Sequence, residues 1–208
     1  MTYVKASVRR PAGNPGNGIQ PKDQLVIYDV DDILSFPQRN EAGVVIEDDI
    51  VMKAGRYAIG IYLTPGTAEI SSNSDGETDA EGYTPSVKFN HPGNEQEIRE
   101  FKTNWLSKKC IVVLRYCSGK PADLIGTPCN PCKLSVSYTG SNESNTNELT
   151  FTQISKGDDI AIYRGTDTLE EPVAVVEAGA TDIDYQTDGQ YQLSAGAAKI
   201  AGVTGGSH

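Results

Sequence analysis

The chain has 208 residues, with 18 basic and 28 acidic side chains, a formal charge of −10 and a pI near 4.7. A surface of that sign repels phosphate, which excludes sequence-independent coating of nucleic acid. At 38 % apolar residues the chain is too apolar to be disordered, its 21 Gly and 11 Pro make it rich in turns, and it has no run of ~18 apolar residues to span a membrane.

The length predicts one domain, or one with a small appended piece. Residues 1–24 read as an extended arm, because Pro11-Ala12-Gly13-Asn14-Pro15-Gly16-Asn17-Gly18 holds neither helix nor central strand. The opening Met1–Lys5 lacks the apolar stretch of a signal peptide, so synthesis and assembly are expected in the cytoplasm. Short strands then follow at Leu25–Tyr28, at Gly43–Ile46 and Asp49–Met52 on either side of an acidic turn, and at Arg56–Leu63. In the last of these Tyr57, Ile59, Ile61 and Leu63 share one face. Glu69–Glu81 reads as an acidic, Gly/Ser-containing loop, and Val87–Phe89 as a further short strand.

One helix interrupts the strands. Asn94 is its expected N-cap, with Glu97 in capping-box position, and Ile98, Phe101, Trp105 and Leu106 form one apolar stripe. Glu95 and Glu97 lie in the first turn and Lys108 and Lys109 in the last, as the helix dipole favours. Strands resume at Cys110–Tyr116, expected to be buried on both faces at its start, and at Lys133–Tyr138, half-buried by its alternation. A polar loop over Thr139–Asn147 leads to Leu149–Thr152, and Ile160–Tyr163, Val173–Val176 and Tyr191–Leu193 complete the set. About ten short strands around one helix predict a mainly β fold, a β-sandwich or barrel with a flanking α-helix. The tail Ala195–His208 is small and Gly-rich.

Charge is unevenly spread. Residues 1–22 carry Lys5, Arg9, Arg10 and Lys22 and no acid, whereas 23–82 hold thirteen acids against three bases. Residues 83–133 are basic again, eight against four, and 134–208 return eleven acids against three bases. Such blocks are either ordinary solvated faces or complementary surfaces of a self-assembling subunit.

Candidate chemistry is sparse. Cys110, Cys117, Cys129 and Cys132 include a CxxC step and would offer zinc four thiolates, but the wide Cys110–Cys117 spacing and the apolar setting of Cys110 favour structural thiols. Asp29, Asp31 and Asp32 after a strand, with Lys156-Gly157-Asp158-Asp159, look like the acidic motifs of haloacid-dehalogenase-type phosphatases, whose alternating helices this chain lacks. Asp75, Glu77 and Asp79 could offer oxygens to calcium, without the spacing of an EF-hand. His91 and His208 have no partners for a triad, and no phosphate loop, nucleophile elbow or dinucleotide fingerprint occurs. No enzymatic activity is expected.

The middle of the chain resembles a known family. His91-Pro92-Gly93-Asn94 opens a helix through Trp105-Leu106, then come Lys109–Cys117, Leu124-Ile125-Gly126-Thr127-Pro128-Cys129-Asn130-Pro131, and Leu149-Thr150-Phe151. In order and spacing these resemble phage tail tube proteins of Bacteroidetes phages and prophages, over residues 25–165, leaving 166–208 as an extension of undetermined fold. The resemblance implies a virion structural protein, assembled in the host cytoplasm and located in the tail. It would form stacked hexameric rings with itself and other tail proteins, with DNA passing through and no cofactor, metal or membrane. Asp48, Asp49, Asp75, Glu77 and Asp79 are the expected lumen-lining acids, and Arg9, Arg10 and Arg115 the expected subunit contacts. The alternatives are another tail or head-completion component and a β-sandwich that binds glycans or proteins, which would need exposed aromatic rings.

Overall fold

The computed structural model describes residues 6–13, 16–142 and 144–169, and the backbone of 183–185 and 191–193. The arm ends at β1 (Pro21–Asp29), whose Leu25–Tyr28 run is wholly buried. A 3-10 turn at Val30–Asp32, with the Asp29 carboxylate accepting from the Asp31 N–H at 3.1 Å, leads to β2 (Ile33–Ser35). β3 (Val45–Ile46) and β4 (Val51–Met52) flank the acidic turn without pairing to each other: β3 joins a distant strand in parallel and β4 joins β2. β5 (Ile59–Tyr62) buries Ile61 while Tyr57, ahead of it, is exposed.

Two expected loops are strands instead. Glu69–Asp75 forms β6, which runs through the turn at 76–81 into β7 (Gly82–Pro92), an eleven-residue strand where a short one was expected. The polar Thr139–Asn147 segment is mostly the arms of a hairpin between β10 (Cys132–Gly140) and β11 (Asn145–Gln153), paired from Cys132↔Gln153 to Gly140↔Asn145. Ser and Asn weaken the local strand signal, and pairing to neighbours distant in sequence overrides it.

Between these lie α1 (Gln96–Trp105), β8 (Cys110–Tyr116) and β9 (Ala122–Ile125). The helix starts later than its sequence suggests: Glu95 is the N-cap, no side chain caps it, and Asn94 is spent on other contacts. Lys108 and Lys109 fall beyond the last turn, and Leu106 is exposed, so Ile98, Phe101 and Trp105 carry the packing stripe.

β12 (Ala161–Tyr163) completes a ten-stranded sheet ordered β3-β12-β9-β8-β10-β11-β7-β6, with β5-β1 added on β8. β8 and β10 share a single pair, Cys132↔Cys110, and there the sheet folds into two layers. One cluster fills the space between the layers, with Leu25, Ile27, Leu63, Val112 and Leu114 facing Phe89, Leu149, Phe151 and Leu134. A second cluster, with Val26, Tyr28, Ile46, Ile111, Val113 and Tyr163, lies on the other side of β1 and β8. β1 and the start of β8 are therefore buried on both faces, as their apolar runs predict. The fold is mainly β, and among the described residues no helix is long and apolar enough to cross a membrane.

The chain divides at Glu170/Glu171 rather than after 165. Residues 164–169 belong to the first unit because Ala58 donates its N–H to the Thr168 carbonyl and pairs with Leu169 in parallel. In the second unit β13 (Ile183–Tyr185) and β14 (Tyr191–Leu193) pair antiparallel, the latter as expected. The expected Val173–Val176 strand and the tail Ala195–His208 lie outside the described residues.

Candidate functional site

The inner face of β10, β11 and β7 changes from apolar to polar along its length. Leu134, Phe151 and Val87 form one cross-strand row, Val136, Leu149 and Phe89 the next, and Tyr138, Asn147 and His91 the last. α1 closes this polar end. Its Lys102 donates to Asn147 Oδ1 at 2.6 Å and to Asn94 Oδ1 at 3.0 Å, with the ammonium 5.1 Å from the Tyr138 ring centre. Asn147 is fully buried and donates to the Gly93 carbonyl at 2.6 Å. Burial, with help from Arg99, lowers the Lys102 pKa, and burial with the Lys102 charge lowers that of His91, whose Nδ1 is enclosed and unpartnered. Together these contacts form a clamp of amides around the Lys102 ammonium that holds the helix.

The expected contact residues divide. Arg9 and Arg10 are fully outward in an arm segment without secondary structure. Arg115 makes several contacts within its own chain. It pairs with Asp167, donates to the Gly165 carbonyl at 2.7 Å and stacks over Tyr163. Asp167 also accepts from the Tyr28 hydroxyl at 2.6 Å, and its side chain is only 6 % exposed. Desolvation and the Asp167 charge push the Tyr28 pKa up, and the Asp167 hydrogen bond raises that of Arg115.

The expected lumen acids are all exposed but do not form one cluster. Asp49 accepts from the Thr166 N–H at 2.6 Å, just past β12, whereas Asp75 pairs with Lys156 at 3.1 Å, ahead of β12. That pair lowers the Asp75 pKa, chiefly through the Lys156 hydrogen bond. Asp48, Glu77 and Asp79 form no ion pair among the described residues. Asp79 holds φ at +71°, a left-handed turn conformation that Asp tolerates.

The four thiols do not converge. Cys110 and Cys132 sit side by side in the core, Cys110 S–H donating to the Cys132 carbonyl at 3.4 Å, while Cys117 and Cys129 are exposed elsewhere. Burial pushes the Cys110 pKa up to about 12 and raises that of Cys132, so neither is poised as a thiolate ligand or nucleophile. Among the described residues no three His, Cys, Asp or Glu side chains gather as a metal site. The phosphatase-like acids serve separate tasks: Asp29 pairs with Lys108, and Asp158 and Asp159 engage Arg39, Ser72 and the Ile160 N–H. Among the described residues, the exposed tyrosine rings that a glycan site would need are Tyr57, Tyr62, Tyr83 and Tyr138, on separate elements. Tyr62 packs edge-on to His91 and Tyr138 lies under Lys102.

Sequence reasoning missed three features: the Asp167 anchor, the Lys102–Asn147 clamp and the free edge of β6. β6 pairs with β7 on one side and ends the sheet on the other. Only a lone Ile70 between polar residues hinted at it. No family model, curated protein or solved structure matches this chain.

Proposed function

We propose that the chain is a structural subunit of a phage tail tube, building stacked rings of about six copies whose bore passes DNA without binding it. The observation that carries this reading is the open main sheet, whose longest path ends on unlike edges, β3 and β6, with β5 ending a side branch. Unlike edges meet head to tail, and a head-to-tail contact whose rotation closes gives a ring. The uneven charge supports it, since a basic arm and an acidic 23–82 block give each copy complementary surfaces. So does the motif order of the resemblance, which falls on the contiguous elements from the end of β7 through α1, β8 and β9 to β11.

The two acidic groups flank β12 at opposite ends, so a single bore takes one of them. The turn between β6 and β7, with unpaired Glu77 and Asp79, is the better candidate, because Asp49 is spent on Thr166. Repeated around a ring, even two carboxylates per copy hold a narrow channel negative across a Debye length of about 8 Å. The role is mechanical and involves no turnover. Sedimentation velocity from micromolar to millimolar protein tests it. The sedimenting mass is expected to rise from the 22.3 kDa chain to about six times that and then to longer stacks. A monomer throughout contradicts the reading.

A further inference from the structure

The two core thiols are opposed at the point where a single strand pair joins β8 to β10. Cys110 opens β8, Cys132 opens β10, and the antiparallel register sets one directly against the other. Directly opposed residues send their side chains to the same face, with Cα atoms about 4.5–5.5 Å apart. A disulfide accepts Cα separations of about 4.4–6.8 Å, so this register suits one without moving either backbone. The side chains agree. Both are fully buried in the cluster between the layers, and the Cys110 sulfur donates to the Cys132 carbonyl at 3.4 Å. Gly126, at φ +93°, lies against both residues: a Cβ there would stand 3.1 Å from Cys132 Sγ and 3.4 Å from the Cys110 carbonyl. The chain after β9 therefore covers the pair with backbone. The CxxC spacing points to Cys129 as the partner of Cys132, yet Cys129 is exposed and Cys132 is in the core.

We infer that Cys110 and Cys132 form an oxidative modification site, which a small peroxide closes to an intrachain disulfide that staples the two layers of the sheet. The inference does not rest on the tube reading. One thiolate sulfur attacks an oxygen of hydrogen peroxide, the O–O bond breaks, and a sulfenic acid and one water result. The second sulfur attacks the sulfenic sulfur, the S–S bond forms, the S–O bond breaks and a second water leaves. The two thiols give up two electrons and two protons, and the peroxide is reduced to two waters. Full burial selects an oxidant of that size, since a bulkier disulfide reagent needs the fold to open. Burial also pushes the Cys110 pKa up to about 12, so thiolate is scarce and closure is slow at neutral pH. A reducing thiol pool keeps the pair open. The bond closes a loop between residues 22 positions apart, which restrains the unfolded chain.

The test uses the full chain beside C117S/C129S, which alters exposed thiols alone. Each is purified reduced and kept folded with millimolar hydrogen peroxide at about pH 8 for about a day. The protein is then alkylated in denaturant, and the intact chain and its peptides are weighed. C117S/C129S is expected to lose about two mass units, to leave no thiol for alkylation, and to yield one peptide pair joined through Cys110 and Cys132. Its urea midpoint, read by the fluorescence of Trp105, the chain's single tryptophan, should rise by about 1 M and fall back on reduction. Two alkylatable thiols after the treatment, or a sulfinic acid on either cysteine without a link, would overturn the inference. A link from Cys132 to Cys129 in the full chain would do the same. A Cys110–Cys132 link with an unchanged midpoint would refute the staple. None of these readouts depends on assembly, so the tube reading is judged separately by sedimentation.

Discussion

Asp167 is held by groups far away in the chain: Arg115 lies 52 positions before it and Tyr28 lies 139 before it. The carboxylate answers both a half-buried guanidinium and a buried hydroxyl, and so fastens residues 164–169 to the β1–β8 core. Removing it leaves a cation and a phenol without their partner, which costs far more than losing an exposed ion pair. Asp167→Ala should therefore destabilise the first unit by about 3 kcal/mol, read as a lower urea midpoint at unchanged slope. A shift below about 0.5 kcal/mol would mean that water replaces the carboxylate and the anchor is incidental. The Asp167 partner was not legible in the sequence because it lies 52 positions from Arg115. The core position of Cys110 was more legible, since it opens a run of apolar residues.

The helix and the β7–β11–β10 face show what an element-level reading can and cannot reach. The spacing of Ile98, Phe101 and Trp105 is a local signal, and it located α1 and its buried stripe. Its cap was misplaced because Asn94 is drawn instead to the Lys102 ammonium, eight positions on in the body of the helix. His91 pairs in register with Asn147 in the same clamp. The groups facing it are the Lys102 cation, the Tyr62 ring and the Pro92 backbone, and among the described residues no carboxylate acts on it. Burial lowers its folded pKa below the ordinary 6.5, so the folded state resists a proton that the unfolded chain accepts. The His91 contribution is thus present above about pH 6.5 and is lost as pH falls through the lower folded value. Unfolding free energies at pH 7.5 and 5.5 should show a larger loss for the native protein than for His91→Asn. Asp123, whose pKa burial raises, works in the opposite direction, is common to both proteins and cancels in the difference. Equal pH slopes for the two would show that His91 titrates as it does in water.

At the scale of the whole molecule, composition and periodicity were enough for a mainly β chain with one helix. They could not reveal where the sheet ends, because an edge is defined by which strand is missing a neighbour. Glu69–Asp75 looked like a loop for that reason: its polar residues have little to gain from burial, and its backbone is paired by β7 alone among the described residues. Once placed, that strand turns an acidic stretch into an open edge of the main sheet. Rings of the proposed kind would use Glu77 and Asp79, which form no ion pair among the described residues, to set the sign of the bore. The most direct measurement is electron microscopy of the concentrated full chain, with rotational averaging of end-on views. The account predicts hollow rings of about six copies, stacked side-on into tubes. Uniform particles the size of a single chain, with neither rings nor tubes at millimolar protein, would contradict it.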